Sequence, residues 1–368
     1  MTDRPAPPHS APARVAVFAR LWEPGLGDLV QRNIFLALIR RAYPEAVITH
    51  VLPRATAARF GEFLAGHSLA ADVLCCPDYG DDDPAGWAHF QQQAGRFDLC
   101  VVDPDSHGLG GTHAAAYGIP HRIGFALGHT GPDGLTTTIR IGRPLFGAPD
   151  LFDFATGLAQ ALGVPPPGHV DTVPPFPYAP EPLPDLIAPT VVLHPGGAPH
   201  WNRRWPLARY IELAERLGET AGSIAWVGSA DEVSELQRAG KHVFAGVGLN
   251  RLATLLAHAD LLIGSDSAPA HIAAALGTPT IVLYGPTFTE FMWARVYPRH
   301  EGINRRYPCQ QIRNLQRGAG PAVMPCEHSC RYAYAGPDGP YPKCLTDITV
   351  DEVHRAARRR IPLRMPHD

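Results

Sequence analysis

Between Gly163 and Asp185 the sequence reads GVPPPGHVDTVPPFPYAPEPLPD, nine prolines in 23 residues. Each proline removes a backbone donor and fixes φ, so neither a helix nor an inner strand can run through this stretch. The chain must therefore be built from two halves joined by a semi-rigid connector, whose heart is residues 176–185. At roughly 100–200 residues per domain, the 368 residues suffice for a separate core in each half.

Both halves carry the same rhythm. In the first, RVAVFAR (Arg14–Arg20) reads as a buried strand, LWEPGLG as a turn, and Asp28 to about Tyr43 as a helix stopped by Pro44. AVITHVL and DLCVVDP (Asp98–Pro104) read as further strands. In the second half PTVVLHPGG, SIAWVGS, DLLIGSDS and TPTIVLYGP are strands. They alternate with the helical runs PLARYIELAERLGE, LNRLATLLAHA and APAHIAAALG. Short apolar strands alternating with helices imply parallel βαβ units, hence an α/β fold of two doubly wound domains. Ligands bind such sheets at the carboxyl ends of the strands, so a cleft between two such edges is the expected site. The boundaries expected are a disordered tail 1–13, a first domain 14–175, the linker 176–185, a second domain 186–349 and a C-terminal helix and tail 350–368.

The charge balance is 32 basic to 35 acidic residues, which argues against a nucleic-acid or membrane coat. No apolar run reaches the ~18 residues of a transmembrane helix, and MTDRPAPPHSAPAR lacks the apolar region of an export signal. A cytoplasmic enzyme is the expectation. Only Lys241 and Lys343 are lysines, an arginine bias that reads as coding composition.

Three strand-to-helix junctions carry chemistry. In LLIGSDSAPAHIAAALG (Leu261–Gly277) a strand ends at Gly264, and Ser265, Asp266 and Ser267 offer capping side chains to a helix starting near Ala268. Its N-terminal N–H groups suit a phosphate, and His271 follows one turn in. The alternative is a capped structural helix with a surface histidine. In HPGGAPHWNRRWP (His194–Pro206) glycines precede Arg203 and Arg204, a plausible phosphate clamp or an ordinary βα turn. In Gly25-Leu26-Gly27-Asp28 the glycines permit a tight turn, and Asp28 either caps the helix or takes a proton from an attacking hydroxyl.

In this order, GLGD, HPGG…RRWP, VGS.DE and LIGSDSAPAHIAAALGTPTIVLYGPT resemble glycosyltransferase family 9, which includes the bacterial ADP-heptose:lipopolysaccharide heptosyltransferases. The resemblance implies a GT-B fold: two Rossmann-like domains facing a central cleft, the C-terminal one holding an ADP-sugar and the N-terminal one the acceptor. It implies inverting heptosyl transfer with no cofactor or catalytic metal required. Asp28 matches the family's proposed catalytic base. Asp266, Ser267, Ala268 and His271 match its D-[TS]-G-x-x-H diphosphate loop, with Ala268 in place of the usual glycine. Arg203 stands where a lysine is usual, and Gly196, Gly197, Gly228, Ser265 and Thr287 complete the donor set. Phe288-Thr289-Glu290 replaces the Asp-Pro that often follows YGPT. Gly25, Gly27, Asp103, Asp105 and His107 are acceptor-side candidates. The last three either touch the acceptor or cap a loop, and Asp103 or Asp105 would serve as base if Asp28 only caps.

Two further signals bear on substrate and metal. The first 180 residues hold 12 arginines and 17 acidic residues, a balance of −5. That favours an uncharged or cationic small acceptor, such as an aminoglycoside or nucleoside-type natural product, over the anionic lipopolysaccharide core, which remains the alternative. A non-hydrolysing sugar-nucleotide epimerase is a further alternative. Cys309, Cys326, Cys330 and Cys344 gather near the C-terminus, either as a structural zinc site or, given the loose C-x3-C spacing, as structural thiols. Asp81-Asp82-Asp83 reads as a solvated turn.

Overall fold

The computed structural model describes residues 11–19, 25–67, 69–78, 82–104, 109–127, 133–141, 150–197, 203–237, 242–285, 296–305, 307, 333–336 and 339–361. It divides into two compact units, Met1–Pro177 and Tyr178–Asp368.

Unit 1 is a six-stranded parallel sheet. Its strands are β1 (Arg14–Phe18), β2 (Val47–Pro53), β3 (Asp72–Cys76), β4 (Leu99–Val102), β5 (His121–Leu127) and β6 (Thr137–Ile141), in the order β3-β2-β1-β4-β5-β6. Helices α1 (Leu26–Ala42), α2 (Arg54–His67), α3 (Pro84–Ala94), α4 (Leu109–Ala116) and α5 (Leu151–Leu162) connect or follow them. β1 and β4 are continuous apolar runs because both faces of a parallel sheet are covered. Sequence periodicity shows three of these six strands; β3, β5 and β6 mix polar with apolar residues and read poorly in isolation. α1 starts at Leu26, two residues before the expected Asp28, because Gly25 is the N-cap. α5 is closed by a reciprocal Asp150–Asp153 capping box and by Gly163 at φ 72°, a left-handed turn that favours glycine. Of the aspartate triplet, Asp81 lies outside the described residues and Asp83 accepts from Gly86 N–H at 2.8 Å as the cap of α3.

Unit 2 repeats the plan. β7 (Thr190–His194), β8 (Ser223–Gly228), β9 (His242–Ala245), β10 (Leu261–Ser265), β11 (Thr280–Tyr284) and β12 (His300–Asn304) form a parallel sheet in the order β12-β11-β10-β7-β8-β9. A small antiparallel pair, β13 (Ala333–Gly336) and β14 (Gly339–Pro342), lies outside it. The helices are α6 (Leu207–Leu217), α7 (Ala230–Gln237), α8 (Leu249–His258), α9 (Ala268–Ala275), α10 (Lys343–Thr346) and α11 (Val350–Arg360). Trp205, Tyr210 and Trp226 are buried with Leu193 and Ile263, and α11 adds Val353, Ala356 and Ala357 to the same core. The proline-rich connector is tied to α8, Ala179 N–H to Asn250 Oδ1 at 3.1 Å and Glu181 N–H to Thr254 Oγ1 at 2.9 Å. No described helix is long and apolar enough to cross a membrane.

Each unit thus has the doubly wound order 3-2-1-4-5-6, which reverses direction between its first and fourth strands. The crevice outside the strand ends at that reversal is where open α/β sheets bind ligands. In unit 1 it lies between β1 and β4, in unit 2 between β7 and β10.

Candidate active site

In unit 2 the reversal is bridged by side chains. β7 ends at His194, which is 5% exposed, and its Nδ1 lies 3.1 Å from Ser267 Oγ in the turn after β10. The Ser267 hydroxyl also donates to Ser265 O at 3.3 Å, which leaves His194 to donate from Nδ1. Gly264 permits this approach: a Cβ there would stand 3.0 Å from His194 Cβ. Ser267 is the N-cap of α9 by position, but its side chain makes no cap hydrogen bond. This corrects the expected capping by Ser267. The histidine competes for the Ser267 hydroxyl, Ser265 is fully buried with Oγ 3.5 Å from Tyr210 Oη, and Asp266 is also buried. The first turn of α9 starts at Ala268, directly after this loop. His271 is a buried residue of α9, 6% exposed, rather than a surface histidine. Its ring lies 6.1 Å from that of Tyr297.

The three glycines expected to bind donor gather around the Glu of the VGS.DE motif, which was not among the expected site residues. Glu232, in the first turn of α7, accepts from Ser229 N–H (2.8 Å) and Gly197 N–H (3.2 Å) and pairs with Arg204 Nη2 (3.1 Å). A Cβ on Gly196 would fall 2.3 Å from Glu232 Oε2, and one on Gly228 3.1 Å from the same oxygen. Neither Gly196 nor Gly228 has positive φ; the carboxylate occupies the space beside Gly196, and Val233 Cγ1, at 2.9 Å, together with Glu232 occupies that beside Gly228. Ser229 Oγ accepts from Glu232 N–H at 3.4 Å, so Ser229-Ala-Asp-Glu232 is a capping box that the S-x-x-E spacing could have revealed. Arg204 makes the ion pair to Glu232. Arg203 stands beside the Gly197 backbone, its Cβ 3.8 Å from where a Cβ on Gly197 would be.

Electrostatics follow from burial. Burial holds His194 well below the ordinary imidazole value; Glu232 opposes this and Arg204 reinforces it. Burial tends to raise the Glu232 carboxyl, but the N–H groups of Ser229 and Gly197, then His194 and Arg204, hold it below the usual range. Behind the loop, His300 joins Thr280 Oγ1 (2.9 Å) to Tyr284 Oη (3.1 Å), and burial, aided by His271 and Arg360, pushes it down to about 3. The site presents a fixed anion, a neutral imidazole and the N-terminal turn of α9.

In unit 1, Asp28 is the third residue of α1, half-buried, and accepts from the Gly25 N–H at 3.3 Å. Gly25 has φ −69°, a value any residue adopts, so its role is room: a Cβ would stand 3.3 Å from Asp28 Oδ2. Gly27 is buried within the first turn. Asp103, expected to face the acceptor or cap a loop, is engaged by an arginine of α1. Its carboxylate is held by Arg32 in a bidentate pair, Nε–Oδ2 at 2.6 Å and Nη2–Oδ1 at 3.1 Å, with both side chains at most 2% exposed. Arg32 carried no recognisable sequence signal.

With this geometry in place the comparisons are decisive. The model of glycosyltransferase family 9 (heptosyltransferase) matches residues 114–318, more than half the chain. The chain belongs to glycosyltransferase family 9. It is 35% identical over 130 residues to lipopolysaccharide heptosyltransferase 1 of Pseudomonas aeruginosa, covering 32% of this chain and 34% of the relative. The matched stretch therefore spans about a third of that relative's length. Over 94% of the chain the fold superposes on 98% of E. coli ADP-heptose lps heptosyltransferase II (TM-score 0.64, 18% identity). It likewise superposes on 99% of E. coli heptosyltransferase WaaC with ADP-2-deoxy-2-fluoro heptose (TM-score 0.61, 16% identity). These likenesses establish the GT-B architecture for this family 9 chain.

Within that family frame, Thr287, Asp105, His107, Cys309, Cys326 and Cys330 lie outside the described residues. Cys344 is a buried thiol of α10. Among the described residues no three His, Cys, Asp or Glu side chains gather as a metal site requires.

Proposed function

We propose that this family 9 chain transfers heptose from ADP-heptose, with inversion, to a hydroxyl of a lipopolysaccharide-core acceptor. The observation that carries the reading is the meeting, at the β7/β10 reversal, of the HPGG turn, the Ser229–Glu232 turn and the SDSAPAH loop. In this proposal Asp28 accepts the acceptor's hydroxyl proton while that oxygen attacks the anomeric carbon. The bond from the anomeric carbon to the diphosphate breaks, and the charge left on ADP is met by the N-terminal turn of α9, Arg203 and His271.

The acceptor assignment departs from the small neutral or basic molecule that the −5 balance favoured. The named relatives are lipopolysaccharide heptosyltransferases, and a net count says little about the field at one edge. Several of the acidic groups are engaged structurally: Asp98 accepts from the Ala13 and Arg14 N–H groups, Asp83 and Asp150 cap helices, and Asp103 is neutralised by Arg32.

The test is turnover of ADP-heptose with Kdo-bearing lipid A set against soluble amino-sugar and nucleoside acceptors. Transfer to the lipid acceptor is expected, and transfer only to the soluble ones would restore the small-acceptor reading. Asp28→Asn should lower kcat by about 10²–10⁴-fold; near-wild-type turnover would remove Asp28 from the role.

A further inference from the structure

The buried ion pair in unit 1 stands at an unusual place. Arg32 is one turn beyond Asp28 on α1, so the two residues share a helix face. Asp103 follows β4 directly, and its backbone N–H donates to Phe18 O at the end of β1 at 3.0 Å. The pair thus joins the helix that leaves β1 to the end of β4, across the reversal where this sheet would bind ligand. The guanidinium also donates to Gln31 Oε1 at 3.3 Å, and Gln31 is itself 1% exposed.

We propose that Arg32 and Asp103 are positioning residues, a clamp that sets where the first turn of α1 holds Asp28. The inference rests on the reading of Asp28 as base. Three observations support it. A buried ion pair is a poor means of simply attaching a helix, since desolvation offsets most of its attraction and apolar side chains do as well. α1 already has such side chains, with Leu29, Val30, Phe35, Leu36 and Ile39 all at most 2% exposed. What a bidentate fork adds is direction, because two parallel N–H···O contacts fix both distance and orientation. Finally, the Gly25 N–H donates to Asp28 within the first turn of α1, so the carboxylate is tied to the end of the helix that the pair holds. With both partners at most 2% exposed, direct contact with acceptor is not their role.

The decisive experiment compares Arg32→Met/Asp103→Leu, Arg32→Lys and Asp28→Asn with the wild type, using ADP-heptose and Kdo-bearing lipid A. The double variant removes both charges together and should stay folded. Its kcat should fall about tenfold or more, with KM for ADP-heptose unchanged. Hydrogen exchange should quicken in Leu26–Arg32. Should the double variant not fold, Arg32→Lys keeps the charge but loses the fork, and the same kcat loss is expected. A kcat within twofold of wild type in whichever variant folds would overturn the clamp. If Asp28→Asn is inactive while the pair variants keep their kcat, only this inference fails. If Asp28→Asn is fully active, the base assignment fails. A kcat loss in the pair variants alongside it would then overturn the clamp as well, because the pair would be acting through another group.

Discussion

Gly196 and Gly197 are adjacent, yet the structure separates them sharply. A methyl group on Gly196 would sit 2.3 Å from Glu232 Oε2 and 2.4 Å from its Cδ, while one on Gly197 meets nothing closer than 3.8 Å. Neither glycine has positive φ, so Gly→Ala strains neither backbone. To admit Gly196→Ala the carboxylate must retreat by about 1 Å to reach van der Waals separation. A glutamate end is ordinarily free to do so, but this one is held by Ser229 N–H, Gly197 N–H and Arg204. Each hydrogen bond to a charged group is worth about 1.5–3 kcal/mol. Stretching this set, or overpacking the turn, should cost about 2 kcal/mol in Gly196→Ala. For a unit of this size that lowers Tm by about 4–8 °C, whereas Gly197→Ala should shift it little. The cycle with Glu232→Ala identifies the cause: in that background Gly196→Ala should cost under about 0.5 kcal/mol, because the obstructing group is gone. Thermal denaturation of the four chains measures it. If Gly196→Ala is as harmless as Gly197→Ala, or if its penalty survives removal of Glu232, the reasoning is refuted.

Two predictions concern protonation and donor binding. His50 in β2 is 1% exposed, has no hydrogen-bond partner at either ring nitrogen among the described residues, and is pushed down to about 4 by burial. Because the folded state resists a proton that the unfolded chain accepts from pH 6.5 downward, stability should fall by about 2 kcal/mol by pH 5 and about 3 by pH 4. His50→Leu should remove that share; urea unfolding read by exchange of the Val47–Pro53 amides would contradict it if both proteins lost stability equally. Glu232→Gln, which keeps the shape but not the charge, should weaken ADP binding about tenfold by loosening the HPGG turn, at about 1–3 kcal/mol of stability. Calorimetric titration with ADP showing unchanged affinity would place the turn outside the donor site.

The two α/β halves, the connector between them and the strand-loop-helix junctions at GLGD, HPGG and SDSAPAH were legible in the amino-acid sequence. Those features are local: strand runs, helical periodicity, prolines and small residues express themselves within a dozen positions. Partner choice was not legible. Ser267 has the composition of a cap, but His194, 73 residues away, takes its hydroxyl. Asp103 looked available, but Arg32, 71 residues away, occupies it. Glu232 was within reach of a capping-box reading, though not the fact that Gly196, Gly197 and Gly228 make room for it or donate to it. In each case the deciding neighbour is delivered by strand order, which sets β4 beside β1 and both β10 and β8 beside β7. A short stretch of chain can specify that it will be a strand or a turn. Which other strand end it meets, and so which of its polar groups remain for a substrate, is settled only when the sheet assembles.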